Sequence, residues 1–380
     1  MPRTIFGDEH ELYRTTVRQF LQSEVAPHYP GWEKQGHPGR EFWRAAGEAG
    51  LLCPTVPEAY GGPDADLRYS AILIEEMGRA GYSIGGVSVH SDIAVPYLVR
   101  LGTEDQKRRW LPGCVSGETI TAIAMTEPGA GSDLQGIRTF ARREGEGYVI
   151  SGQKTFITNG WLADLVIVVA RTDPTAGARG ISLLLVEAER AGYRRGRLLE
   201  KLGQKAQDTA ELFFDDVRVP STNLLGHEGA GFGYLMQELA QERLVIALGA
   251  IAAAEGALEW TLRYAKEREA FGRKVIDFQH SGFALADVAT EITIGRVFAD
   301  HCLGEYLAGQ FDATTAAMAK LWLTELQDRV VDACVQLHGG YGYMWEYPIA
   351  RAYADSRAQR IYGGSSEIMR EIIARRLRET

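Results

Sequence analysis

Thr126-Glu127-Pro128-Gly129-Ala130-Gly131-Ser132-Asp133 joins a rigid Glu-Pro lead-in to a turn of glycines and hydroxyls, directly after the β-like run Thr119-Ile120-Thr121-Ala122-Ile123-Ala124-Met125. Glycines at 129 and 131 let backbone N–H groups converge at φ values that other residues avoid, and Thr126 and Ser132 add hydroxyl donors beside them. That composition suits a cradle for an anionic or polar ligand. Taken alone, a Gly/Ser cluster of this kind is more often a plain surface turn, so its meaning depends on its surroundings.

Upstream, residues 1–120 read as helical. Glu9 to Val25 places Leu12, Val17, Phe20 and Leu21 on one stripe that Pro27 stops, and Ser70 to Gly78 offers a second apolar face. From 121 to 230 the texture changes to short β-branched runs, Tyr148-Val149-Ile150-Ser151, Leu165-Val166-Ile167-Val168-Val169 and Ile181-Ser182-Leu183-Leu184-Leu185-Val186, separated by turn residues. After Gly231 and Gly233, residues 232–267, 279–309, 312–338 and 365–378 are long, periodic and rich in Ala, Leu and Glu. The expected architecture is mainly α with a central β domain: an N-terminal helical domain (1–120), a β-barrel-like middle domain (121–230) and a C-terminal four-helix bundle (231–380). Helices, strands, then helices, without βαβ alternation, argue against a doubly wound sheet, and neither Gly-x-Gly-x-x-Gly nor Gly-x-x-x-x-Gly-Lys occurs.

Composition narrows the function. The 380 residues are 45% hydrophobic, enough for one large core or several smaller ones. Asp and Glu outnumber Lys and Arg by 50 to 41, a net charge of −9, which disfavours a nucleic-acid partner. Cys53, Cys114, Cys302 and Cys334 lie far apart with no Cys-x-x-Cys spacing, so neither zinc nor a disulfide framework is expected and a reducing compartment, the cytoplasm, fits. The first residues carry acids at Asp8, Glu9 and Glu11, and no uninterrupted run of 18 apolar residues occurs, so neither a signal peptide nor a membrane span is expected. A small-molecule ligand is the natural partner.

The three-part layout and five motifs in order carry a resemblance. They are the Thr126 to Asp133 loop, Lys154-Thr155-Phe156-Ile157-Thr158-Asn159-Gly160, Arg268-Glu269-Ala270-Phe271-Gly272, Gln336-Leu337-His338-Gly339-Gly340 and Ile361-Tyr362-Gly363-Gly364-Ser365. Across essentially its whole length the chain resembles the acyl-CoA dehydrogenase family. The resemblance implies FAD, a thioester substrate and α,β-dehydrogenation. It implies that Met125 and Thr126 contact the flavin ring, that Gly131 and Ser132 meet the pyrophosphate, and that Phe156, where many relatives carry Trp, lies beside the ring with Thr158. It also implies a homo-oligomer, a tetramer, in which Arg268, Phe271, Gln279, Gln336 and Gly340 hold the adenosine half of a neighbouring subunit's cofactor. Without it, Arg268 would read as a solvated helix charge and Phe271 as a core residue.

One departure sharpens the reading. Many members carry a catalytic Glu directly after the Tyr of the last motif, where this chain has Gly363. A subgroup resembling isovaleryl-CoA and long-chain acyl-CoA dehydrogenases keeps its base on a bundle helix before an Arg, and Gln241-Glu242-Arg243-Leu244 stands there. Glu242 is therefore the expected base, with Leu239, Leu244, Val245 and Ile246 as apolar walls that would raise its pKa. The Gly363 N–H keeps the role of donor to the thioester carbonyl, and Ser132, Arg243 and Tyr362 complete the implied substrate contacts. Ser365 and Glu367 match flavin-contacting Thr and Gln positions, with an acid replacing an amide in the second. Glu346 and Glu367 are the alternative bases.

Gly85-Gly86-Val87-Ser88-Val89-His90-Ser91, His338 and Met344-Trp345-Glu346-Tyr347-Pro348 resemble the long-chain members. Two adjacent glycines would interrupt a helix and leave room for a medium-to-long or branched acyl group, or would be a simple helix break. An acyl group on a carrier protein is a second substrate. Family norm makes an electron-transfer flavoprotein the acceptor; a flavin oxidase or monooxygenase on the same fold, and a non-catalytic flavin or thioester binder, are the competing functions.

Overall fold

A computed structural model describes residues 3–379. The first layer is helical: α1 (Asp8–Phe20), α2 (Tyr29–Gln35), α3 (Arg40–Glu48), α4 (Leu67–Ala80), α5 (Gly86–Ser88), α6 (Val95–Leu101) and α7 (Glu104–Ser116). Helix α1 runs on through a π-turn, Leu21–Val25. Its buried stripe is His10, Arg14, Val17 and Phe20, followed by Leu21. Leu12 does not belong to it: two positions from Arg14, it lies around the helix from that stripe and is 71% exposed.

Strands β1 (Thr121–Ala124), β2 (Phe140–Glu144), β3 (Gly147–Thr158), β4 (Leu165–Arg171), β5 (Ile181–Glu187), β6 (Tyr193–Leu198), β7 (Thr209–Pro220) and β8 (Leu224–Leu225) form the middle domain. They are ordered β6-β7-β3-β2-β4-β5-β8, with β1 parallel to β4. The two antiparallel halves meet at one pair, Phe140 with Arg171. Strands β4 and β5 are buried on both faces, which is why they read as continuous Val/Leu/Ile runs. Alternate residues feed two cores: Leu165, Ile167 and Val169 pack with the N-terminal helices, and Val166, Val168 and Ala170 face the opposite side.

The last third holds α8 (Gly231–Glu267), a short hairpin β9 (Glu269–Ala270) and β10 (Arg273–Lys274), then α9 (Gln279–Leu307), α10 (Ala313–His338), α11 (Pro348–Ser356) and α12 (Ser366–Glu379). Helix α8 is the spine, packed on α4, α9, α10 and α11. Close approach to α4 depends on Gly256, where a Cβ would strike the Arg79 backbone. By length and composition α8 could cross a membrane, but 61% of its apolar window is buried inside the protein. A buried ionic cluster ties the chain start to this bundle. Arg3, Arg14 and Arg296 converge on Glu75 at 2.7, 3.1 and 2.8 Å. Burial would raise the Glu75 carboxyl, yet these three cations hold it down at about 2.

Candidate active site

Three groups of expected site residues can be located. The first surrounds the loop after β1. Thr126 is fastened to β3 by the Thr155 N–H donating to its carbonyl at 3.0 Å. Beneath the loop, Lys154, fully buried, donates to Glu127 Oε1 at 2.9 Å and to the Met125 carbonyl at 2.8 Å. Glu127 also accepts from the backbone of Arg138 and Thr139 at 2.6 and 2.9 Å. The loop is thus held by a buried ion pair whose charges are met by backbone dipoles. Gly129 and Gly131 do not adopt the positive φ expected of them. What they provide is an open face: a Cβ at either would meet nothing within 4 Å, so a ligand can approach the backbone there. Ser132 is exposed at the same rim.

Phe156 stands on β3 at φ +59° and is 67% exposed. A bulky side chain held in the left-handed region and left uncovered is a strained position of the kind found at ligand sites. Thr158 accepts from Gln207 Nε2 at 3.1 Å. Asn159 is buried and donates to the carbonyls of Gly86 and Thr121 at 2.8 and 3.0 Å. These contacts correct the reading of Gly85-Gly86. A Cβ on Gly86 would overlap Asn159 Oδ1 and one on Gly85 would lie 2.6 Å from Gln207 Oε1. The pair makes room for two β-domain side chains, and Gly86 begins α5 rather than breaking a helix.

The second group forms where α8 meets the turn before α12. Glu242, 6% exposed, accepts from the Tyr97 hydroxyl at 3.3 Å, and burial pushes its carboxyl up to about 7 against that hydrogen bond and the Arg243 charge. Arg243 Nε donates to the Gly363 carbonyl at 3.4 Å, so Glu242 and the two-glycine turn are linked through one helical neighbour. Gly363 sits at φ +64° and Gly364 at +95°. A Cβ at 363 would overlap Ile246 Cδ1, and one at 364 would lie 2.6 Å from Met369 Cε. A carboxylate base cannot be mounted at 363 without moving Ile246, one turn beyond Glu242 on the same helix. Tyr362 joins the turn to the β domain by accepting from Gln204 Nε2 at 3.2 Å. Ser365 caps α12 through the Ile368 N–H at 3.4 Å. Glu367 is exposed in its first turn, its carboxyl lowered by its own backbone N–H and by Ser365. Glu346 is exposed as well. Neither has the desolvation that distinguishes Glu242.

The third group lies at the far end of α8. Arg268 follows its last turn, roughly 39 Å from Glu242 at about 1.5 Å per helical residue. It shares a cavity of ≈ 580 Å³ with Gln336, His338, Gly340 and Tyr341. Gln279 begins α9 and is exposed. Phe271 is 98% exposed at φ +52°, not the core residue its type alone suggests. Sequence reasoning did not single out Tyr97, Gln207 or Lys320. Only Lys320 carried a signal, a lone cation inside the apolar run Ala316 to Leu323.

A buried carboxyl raised to about 7, an open glycine loop and an uncovered aromatic are features that suit an oxidoreductase with a flat cofactor. The chain belongs to the acyl-CoA dehydrogenase family, FAD-binding oxidoreductases that act on CH–CH bonds. Models of the family's N-terminal, middle and C-terminal domains match residues 7–118, 122–217 and 229–378. The chain is 52% identical over 377 residues to the mouse mitochondrial long-chain specific acyl-CoA dehydrogenase, covering 99% of this chain and 88% of that one. It superposes on an acyl-CoA dehydrogenase from Geobacillus kaustophilus with a TM-score of 0.97 at 53% identity, covering 99% and 100% of the two chains. A glutaryl-CoA dehydrogenase from Mycobacterium smegmatis in complex with FADH2 superposes at 0.92 with 29% identity, covering 99% and 96%.

Proposed function

We propose that this protein oxidises a medium- to long-chain or branched acyl-CoA to the trans-2-enoyl thioester, with Glu242 as the base that removes the α-proton. The observation that carries the reading is the pairing of a buried Glu242, its carboxyl raised to about 7, with a glycine at 363 that carries no carboxylate and whose left-handed φ and contact with Ile246 Cδ1 disfavour one.

The open backbone at Gly129 and Gly131 and the strained, uncovered Phe156 fit FAD. Met125, Thr126, Phe156 and Thr158 would hold its ring and Gly131 and Ser132 its pyrophosphate, with Ser365 and Glu367 at the rim. FAD, when bound, supplies the acceptor for the β-hydrogen and its electron pair. The chain's own groups do the rest. Ionised Glu242 takes the α-proton onto a carboxylate oxygen as the Cα–H pair moves into the new double bond. Its raised pKa matches a base working near neutral pH, and the Tyr97 hydroxyl keeps the acceptor oxygen in place. The Gly363 N–H donates to the thioester carbonyl oxygen as negative charge gathers there. Arg243 and Tyr362 flank the thioester.

Arg268, Gln336 and Gly340, and with them Phe271 and Gln279, would serve the cofactor of a neighbouring chain, because the cavity that Arg268, Gln336 and Gly340 border is too far along α8 to serve a ligand at Glu242 of the same chain. Phe283, Ile294 and Val297 on α9 and Trp322 on α10, 44–63% exposed, supply apolar surface for a homotetramer. An electron-transfer flavoprotein is the proposed acceptor. The four free, buried cysteines suit a reducing compartment such as the cytoplasm.

Anaerobic titration with straight and branched acyl-CoAs tests the substrate: bleaching of the flavin by medium, long or branched thioesters is expected, and no bleaching by any of them removes the reading. Near-stoichiometric peroxide under air would assign an oxidase instead. Bleaching only by a carrier-bound acyl group would move the thioester partner.

A further inference from the structure

A buried ammonium on α10 has a task that the reading above leaves unassigned. Lys320 is fully buried among Ala316, Ala317, Ala319 and Leu323, all likewise buried. Among the described residues no carboxylate lies within ion-pairing distance of it. Its Nζ instead donates to the Gly364 carbonyl at 2.6 Å. Arg243 holds the preceding carbonyl, that of Gly363, from α8. Two cations from two helices therefore grip consecutive peptide planes of one turn. Burial, with Arg243 and Arg360 nearby, lowers the Lys320 ammonium to about 8 against the more distant pull of Glu367 and Glu325, and among the described residues its Nζ has no hydrogen-bond acceptor but that backbone oxygen.

The turn needs such anchors. Gly363 and Gly364 both adopt positive φ, and adjacent glycines exchange readily between left- and right-handed basins. Upstream, the Tyr362 N–H is fixed to the Ala358 carbonyl at 3.2 Å. With Tyr362 held on one side and both glycine carbonyls on the other, the turn that carries the Gly363 N–H is fastened at both ends. Among the described residues the Gly363 N–H donates to no protein acceptor, which leaves it free for a ligand.

We propose that Lys320 is a positioning residue: with Arg243 it locks the Gly363–Gly364 turn so that the Gly363 N–H points at the carbonyl oxygen of a bound thioester. This rests on the acyl-CoA dehydrogenase reading. Lys320 touches neither substrate nor reacting atoms and acts only through the backbone it holds, so its loss lowers the limiting rate of substrate oxidation more than it weakens substrate binding.

The test uses FAD-loaded wild type, Lys320→Met and Lys320→Gln, with a 3-ketoacyl-CoA as probe. The pH at which the bound probe ionises to its enolate, read by ultraviolet absorbance, reports donation to the thioester oxygen without turnover. Removing an oxyanion donor costs about 100-fold or more in rate, so loosening one is expected to cost about tenfold and to raise the enolate ionisation by about one pH unit in Lys320→Met. Lys320→Gln, one atom shorter but still a donor, falls between. Unchanged ionisation in a folded, FAD-replete Lys320→Met overturns the proposal. If neither variant folds, a crystal structure of the wild type with the probe bound decides. Lys320 Nζ on the Gly364 carbonyl together with the Gly363 N–H within about 3.1 Å of the probe's thioester oxygen supports the proposal, and the loss of either contact overturns it. A wild type that neither binds nor ionises the probe contradicts the acyl-CoA reading itself, whereas a wild type and Lys320→Met that ionise it equally contradict only the role of Lys320.

Discussion

Gly363→Ala is the substitution whose consequence the structure fixes most tightly. At φ +64° an L-residue incurs a left-handed penalty of ~1–2 kcal/mol. The new methyl also overlaps Ile246 Cδ1, an overpacking cost of ~1–3 kcal/mol, so a total loss of ~2–5 kcal/mol is expected. Only the second part depends on Ile246. A cycle of Gly363→Ala, Ile246→Ala and the double variant should therefore show a coupling of ~1–3 kcal/mol, the methyl being tolerated better once Ile246 is trimmed. Urea denaturation of the four FAD-loaded proteins under one set of conditions measures it. Additive effects, within about 0.5 kcal/mol, would refute the claim that Ile246 crowds this position. The same logic extends to relocation: Gly363→Glu in a Glu242→Gln background should regain oxidation only when Ile246→Ala accompanies it.

Tyr97→Phe removes the donor that holds the Glu242 carboxyl down, so the rise of the limiting rate with pH, centred near 7 in the wild type, should move upward by ~0.5–1 unit; an unmoved profile would place Tyr97 outside the site. Glu75→Gln strips the carboxylate shared by three arginines and should cost ~3–5 kcal/mol in urea unfolding. The depressed Glu75 carboxyl contributes stability that is complete above its unfolded value of 4.5 and is lost as pH falls towards about 2, and Glu75→Gln should show less of that acid-side loss. Arg268→Ala should weaken FAD binding by ~10- to 100-fold in calorimetry, the worth of one charge-assisted hydrogen bond, without altering helix content.

Much of this fold could be read from periodicity because its helices are long. The stretches 279–309 and 312–338 end within two residues of α9 and α10, and the continuous Val/Leu runs are the doubly buried β4 and β5. What could not be read was anything set by a distant partner. Leu12 fitted an apolar pattern on paper, but the stripe that packs is led by His10 and Arg14, whose burial depends on α4. Gly129 and Gly131 promised special dihedrals and instead supply bare backbone. Gly85 and Gly86 promised space, which Asn159 and Gln207 fill from about 70 and 120 residues away. Glu242 and Gly363 could be named only through family resemblance; what joins them, Arg243 beneath one and Ile246 against the other, exists only once α8 and the last turn have packed. Tyr97 and Lys320 left almost no trace because a single Tyr or Lys does not reveal which carboxylate or carbonyl it will meet.

The central claim is that the base is Glu242, and anaerobic single-turnover mixing of Glu242→Gln with a saturating long-chain acyl-CoA tests it most directly. Full FAD content and unimpaired thioester binding, with flavin bleaching slowed at least about 1,000-fold, is the predicted result. Bleaching at the wild-type rate would contradict the account and send the search for the base elsewhere.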